Sequence, residues 1–146
     1  LGAQDAVSWF NLGYALQQAG RADEAASAFR TALSRDLRLD RAWYGLALVL
    51  IQQRQFHGAI EALEKNTALQ PMSPHGWYRL AQAWLALGEV DKAVKVIDRL
   101  RSFEPGVAAQ LERENGLVQV SRLTPQLRRE FVSGKTGSSR KRDAAH

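Results

Sequence analysis

A tryptophan recurs every 34 residues in this chain. Trp9, Trp43 and Trp77 set the period, and four further columns keep it: Leu12, Leu46 and Leu80; Gly13, Ala47 and Ala81; Ala25, Ala59 and Ala93; Phe29, Leu63 and Ile97. Five independent columns in one register make the repeat real, and a repeat of this length marks a stacked array of small supersecondary units. Each copy holds two apolar-periodic stretches of about 13 residues, enough for three to four helical turns. Short breaks separate them: G-R-A-D, R-Q-F-H and G-E-V-D. Asp23 and Asp91 are expected to cap the second helices of copies one and three. Asp40 and Ser73 are expected to cap the first helices of copies two and three, with Pro74 in the opening turn. The small residues at Gly13 and Ala25, and at their equivalents, allow the two helices of a copy to approach closely. One helical hairpin cannot bury its own apolar face, so three must stack into a solenoid with a concave and a convex side. No alternating β pattern occurs, and the predicted fold class is all-α.

The residue pattern resembles the tetratricopeptide repeat family, in which a Trp is followed three residues later by Leu-Gly, then by an aromatic or Leu, an Ala, a Phe and a closing Pro. Copy one reads W-F-N-L-G-Y-A-L from Trp9, copy two W-Y-G-L-A-L-V-L from Trp43 and copy three W-Y-R-L-A-Q-A-W from Trp77, with closing prolines at Pro71 and Pro105. The resemblance implies a right-handed α-solenoid of three helix-turn-helix hairpins and a C-terminal capping helix. Residues 1–5 lead in, the copies occupy 6–39, 40–73 and 74–107, a capping segment follows over 108–132, and a basic tail covers 133–146. Three departures stand out: Leu37 in the place of a closing Pro, Arg54 in the place of the turn glycine kept at Gly20 and Gly88, and Asn66 in the place of a small apolar residue.

After Pro105 the register fades. Counting by 34 puts Leu111 in the Trp column and Glu114 in the Leu column, as expected of a terminal helix with a more polar outer face. Asn115-Gly116 reads as a helix end or a weak point. Leu117, Val118, Val120 and Leu123 resume apolar character, and Thr124-Pro125 opens a short final helix through Phe131. The tail from Ser133 is expected to be disordered.

Among 146 residues there is no cysteine, which excludes disulfides, thiol nucleophiles and Cys-ligated metals. No run of about 18 apolar residues exists to span a membrane. The chain begins at Leu1 and not Met, so a fragment or processed product is expected, and compartment stays open. The net charge is +5 and the pI about 10.0, but the charge is unevenly placed. Residues 1–105 carry 12 Lys and Arg against 11 Asp and Glu, and residues 106–146 carry 8 against 4. The basic end has no aromatic after Phe131, so it supports at most weak, salt-sensitive binding to nucleic acid or another acidic surface, without sequence specificity.

No chemistry assembles on this pattern. His57 and His75 have neither metal-ligand spacing nor an i, i+4 partner. The acids Asp23, Glu24, Glu61, Glu64 and Asp91 read as a solvated face. Gly134-Lys135-Thr136 mimics the end of a phosphate-binding loop, yet Arg129 stands at its first glycine. The sequence implies no catalytic residue, no cofactor and no metal.

What remains is a surface. On the first helices, Trp9, Leu12, Gly13 and Leu16 share one face, while Val7, Phe10, Tyr14 and Gln17 lie roughly 120–130° away. The second stripe continues as Arg41, Tyr44, Leu48 and Ile51, then as His75, Tyr78, Gln82 and Leu85, with Arg79 beside it. The resemblance implies that this stripe lines a concave groove for an extended peptide or a partner helix. Leu48, Ile51 and Leu85 could instead pack between repeats, whereas the aromatics would form an exposed apolar patch of the kind that marks a partner. The family's carboxylate clamp, which holds acidic chaperone termini, needs Lys and Asn where this chain has Phe10 and Tyr14, Asn where it has Gly45, and Lys and Arg where it has His75 and Arg79. One match in five is not that clamp, although Arg79 remains available to a ligand carboxylate.

The leading reading is therefore a non-enzymatic scaffold that binds an apolar or aromatic segment of a partner protein through Phe10, Tyr14, Gln17, Arg41, Tyr44, Leu48, Ile51, His75, Tyr78, Arg79 and Gln82. The chain would be a monomer or weak homo-oligomer. The competing reading is self-association, or a module similar to the three-repeat secretion chaperones, using Leu117, Val118, Val120, Leu123 and Phe131 on another copy or in the chain's own groove.

Overall fold

The computed structural model describes residues 5–117 together with Gln126, Leu127 and Glu130. Seven α-helices make up this part: α1 (Ala6–Gln18), α2 (Ala22–Arg35), α3 (Asp40–Gln52), α4 (Phe56–Leu69), α5 (Pro74–Ala86), α6 (Val90–Arg101) and α7 (Pro105–Glu114). No strand occurs among the described residues. Successive helices pack in order, α1 also touches α3, and α5 touches α7, which is the nearest-neighbour layout of a helical solenoid. The expected final helix through Phe131 and the tail from 133 lie outside the described residues, apart from those three positions.

The repeat columns form the core. Phe29, Leu63 and Ile97 are fully buried, as are Ala25, Ala59 and Ala93. Leu46 and Leu80 are buried, but Leu12, in the same column, is 45% exposed. The difference is positional: Leu46 lies with Trp43 against Leu33 and Arg30 of the preceding second helix, and no described helix precedes α1. The tryptophans follow the same rule. Trp43 donates its indole N–H to the Leu37 carbonyl at 2.8 Å, and Trp77 donates to the Pro71 carbonyl at 2.9 Å. Trp43 and Trp77 are thus each tied to the loop that enters their own repeat, whereas the buried Trp9 indole nitrogen has no such partner among the described residues.

The hairpin turns need a left-handed residue. Gly20 and Gly88 have φ of +78° and +76°, with open space where a Cβ would be, so backbone conformation alone selects glycine there. Arg54 fills the corresponding place at φ +60°, a conformation that costs an L-residue about 1–2 kcal/mol.

The caps differ from expectation. Asp23 and Asp91 lie inside the first turns of α2 and α6, where a carboxylate favours the positive end of the helix dipole without capping it. Asp23 instead accepts from Gln53 Nε2 at 2.6 Å, bridging two repeats. Asp40 is itself the first residue of α3. Ser73 is the N-cap of α5 but makes no side-chain cap bond, and Pro74 opens the helix as expected. The side-chain cap that is present is Asp5, whose Oδ1 accepts from the Val7 N–H at 3.4 Å.

Helix α7 explains why the register fades. α6 has 12 residues where α2 and α4 have 14, and the following loop is one residue shorter, so α7 begins at Pro105, three residues before the 34-residue frame would place it. With that offset Leu111 falls in the Leu12, Leu46 and Leu80 column, and Glu112 in the Gly13, Ala47 and Ala81 column. Both are buried. Glu112 accepts from Arg101 at 2.7 Å, so a buried carboxylate on α7 meets a guanidinium on α6 and holds it in its charged form. Asn115-Gly116 is a helix end: Gly116 has φ +65° and the Leu117 N–H returns to the Glu112 carbonyl at 2.7 Å.

Candidate functional site

The groove is built from an exchange of volume in the core. Phe29 projects from α2 between α1 and α3. A Cβ at Gly13 would lie 2.8 Å from Phe29 Cδ1, and one at Gly45 would lie 2.6 Å from Phe29 Cζ. Neither α1 nor α3 could therefore carry a side chain at these points without displacing the ring. Two missing side chains admit one large aromatic, which also packs against Phe10 with ring centroids 5.8 Å apart.

Above this ring opens a cavity of about 310 Å³. Phe10, Tyr14 and Gln17 of α1 form one wall, and Arg41, Tyr44, Gly45 and Leu48 of α3 the other. Phe29 is the floor, and Asp40, Asn66, Gln70, Ser73 and His75 close the far side. The Arg41 guanidinium lies over the Phe10 ring, 5.0 Å from its centroid, a cation–π contact that holds it at the rim. Tyr14 is 55% exposed, while Tyr44 is half-buried against the core.

A second, smaller cavity of about 260 Å³ adjoins it, lined by Tyr44, Pro74, His75, Tyr78, Arg79, Val107 and Gln110. Here α7 reaches the concave side. The Tyr78 hydroxyl donates to Glu114 Oε2 at 2.6 Å, and Gln110 Nε2 donates to the other carboxylate oxygen at 2.7 Å. Accepting these bonds holds the Glu114 carboxyl below its ordinary range, and donating to a carboxylate pushes the Tyr78 phenol up. Arg79 donates to Gln82 at 3.1 Å and stacks beside Tyr78.

Of the eleven residues expected to line the groove, Phe10, Tyr14, Gln17, Arg41, Tyr44, Leu48 and His75 meet around the larger cavity. Tyr78 and Arg79 line the smaller one, which Tyr44 and His75 share. Ile51 is half-buried against the core, as is Leu85, and Gln82 enters only through its bond to Arg79. Phe29 and Asn66 line the larger cavity although the stripe does not contain them, as do Asp40, Gly45, Gln70 and Ser73. Phe29 belongs to a second helix and looks like ordinary core. Its sequence signal is the glycine at position 45, where the aligned position of copy three is Arg79. Asn66 is buried, its Nδ2 donating to the Asp40 carbonyl at 3.0 Å, and a Cβ at Gly76 would collide with its Oδ1. The departure from a small apolar residue at 66 is thus paired with a glycine on α5, and it binds the end of α4 to the start of α3.

Among the described residues no group of three or more His, Asp or Glu side chains could hold a metal ion, and no helix is long and apolar enough to cross a membrane. The arrangement offers surface and hydrogen bonds, with an aromatic floor and a mixed rim.

The family model described as tetratricopeptide repeat matches residues 10–65 and again 46–108. The chain belongs to the tetratricopeptide repeat family. Superkiller protein 3 of Saccharomyces cerevisiae is 25% identical over 136 residues, covering 84% of this chain. The chain spans only 9% of that protein's length. Among solved structures, two crystal structures of MamA share the fold. One has a TM-score of 0.65 at 24% identity, covering 84% of this chain and 62% of that one. The other has a TM-score of 0.70 at 18% identity, covering 94% and 82%. The first TPR of Spaghetti (RPAP3), solved with the HSP90 peptide SRMEEVD, has a TM-score of 0.69 at 21% identity over 77% of this chain and 90% of that one. The family match and these likenesses establish a tetratricopeptide solenoid.

Proposed function

We propose that this tetratricopeptide array holds an extended segment or helix of a partner protein in its concave groove, with the cavity over Phe29 as the main anchor point. The observation that carries this reading is the cavity of about 310 Å³ walled by Phe10, Tyr14, Tyr44 and Leu48. An apolar, partly open space rimmed by hydrogen-bonding groups is the usual form of a site for a large side chain, and aromatic walls supply contact area at low entropic cost. The peptide-bound RPAP3 repeat shares the fold, which is consistent with groove binding. The clamp residues for a chaperone terminus are replaced here at Phe10, Tyr14, Gly45 and His75, so the ligand differs from that peptide in its anchoring chemistry.

The test is selection of peptides from a phage-displayed random library on the intact chain, followed by binding to a Tyr14→Glu, Tyr44→Glu variant. Both side chains face the cavity, and neither makes a hydrogen bond to the core. The expected outcome is unchanged helical circular dichroism with at least tenfold weaker binding of the selected peptides. Equal binding by the variant would place their site elsewhere and end the groove reading.

A further inference from the structure

The groove carries two guanidinium groups to which the described structure gives no carboxylate partner. Arg41 is held over Phe10 at the rim of the larger cavity, and Arg79 lies over Tyr78 and donates to the Gln82 amide oxygen. Ion pairs join Arg21 with Glu24 and Arg101 with Asp98 and Glu112, all outside the groove. Of the acids nearby, Asp40 lies on the far side of the larger cavity, and Glu114 is engaged by Tyr78 and Gln110. A guanidinium beside an apolar cavity has five donors in a fixed fork that suits a carboxylate, and stacking on an aromatic ring leaves its edge N–H groups free to donate.

Resting on the groove reading above, we infer that the occupant is a partner segment in which one bulky apolar side chain, seated over Phe29, is followed or preceded within a few residues by a carboxylate bonded to Arg41, with a second acid farther along the groove bonded to Arg79. The anchoring order is what separates this from a terminus receptor: an internal apolar side chain enters the cavity, and the acid binds at the rim. Charge also argues against the chain's own C-terminal segment as the occupant. Residues 118–146 contain seven Lys and Arg against two Asp and Glu, so they would bring like charge to Arg41 and Arg79.

The experiment uses the full chain and three fluorescein-labelled nonapeptides on a glycine-serine frame. The first has a central phenylalanine flanked by two glutamates, the second replaces the glutamates by lysines, and the third replaces the phenylalanine by alanine. Fluorescence anisotropy at low and physiological salt is expected to show the first binding at least tenfold tighter than either of the others. Arg41→Glu is expected to invert the preference between the glutamate and lysine probes, a change of sign that loss of folding cannot produce. An unlabelled peptide of residues 118–146 is expected not to displace the first probe. Equal binding of the glutamate and lysine probes overturns the acid reading and leaves the groove reading intact, provided that Tyr14→Glu, Tyr44→Glu abolishes both. No binding of the first probe, while library-selected peptides without acids bind the groove, likewise overturns it alone. Displacement by the 118–146 peptide would make the tail the occupant.

Discussion

The two junctions of this solenoid use the same positions and reach different surfaces. Between repeats one and two the positions are Gly13, Phe29 and Gly45; between repeats two and three they are Ala47, Leu63 and Arg79. Phe29 and Leu63 are both fully buried, so each junction is well packed. The first reaches that density with one large ring and two absent side chains, and its groove wall is left open above the ring. The second reaches it with a smaller residue and retains room for Ala47 and a long Arg79, whose side chain takes up the concave side together with Tyr78 and α7. A cavity on a repeat protein can thus be created by moving volume from the groove wall into the core, with no change of backbone plan. Interiors tolerate such exchanges when total volume is conserved.

The strongest way to break the comparison is to remove the ring. Phe29→Ala should destabilise the chain by about 3–5 kcal/mol, read as a shift in the urea midpoint, because the surrounding helices cannot collapse onto the space. A loss under about 1 kcal/mol would mean that Phe29 is not the shared core of the first junction. Gly45→Ala should cost about 1–3 kcal/mol by forcing the ring aside. Adding Phe29→Leu, which copies the second junction, should restore much of that loss, so that the double variant is markedly more stable than the sum of the single effects. Strict additivity would sink the volume-exchange account.

Smaller effects sharpen the picture. Arg54→Gly, in the turn of the repeat shared by both junctions, should stabilise by about 1 kcal/mol or somewhat less, since it relieves a left-handed arginine at φ +60°. A thermal melt with no rise in midpoint would contradict the strain. The smallest effect concerns the docking of α7. Glu114 has its carboxyl lowered from 4.5, so its contribution is present above that pH and disappears as pH falls through the lower folded value. Tyr78 has its phenol raised from 10.0, so its contribution is present below that pH and disappears as pH rises through the higher folded value. Phenolate absorbance should therefore titrate one tyrosine above pH 10, and Glu114→Ala should return it towards the ordinary range. An unaltered titration would show that the Tyr78–Glu114 bond is not formed in solution.

Much of the fold was legible because a repeat states its own architecture: five columns at one period give hairpin length, helix count and stacking. The edges were less legible. Leu12 belongs to a buried column, yet burial needs a neighbour that a column does not reveal. The offset of α7 is hidden because a shortfall of three residues breaks the 34-residue count, which puts Leu111 in the Trp column although it occupies the Leu column. The groove stripe was readable from helical angles on first helices. Its floor was not, because Phe29 is on a second helix and the opening above it is made by side chains that are missing. Gly45, read as a failed clamp position, is the residue that the core requires.

The three-residue offset of α7 has a practical consequence for engineering. An extra hairpin of 34 residues inserted between the second and third repeats would meet familiar neighbours on both sides and lengthen the array without touching either end. The same hairpin attached after Glu114 would enter out of phase and find the Glu112 carboxylate, already committed to Arg101, where its helix needs an alanine or glycine. Growth of this scaffold is permitted from within and obstructed at that end.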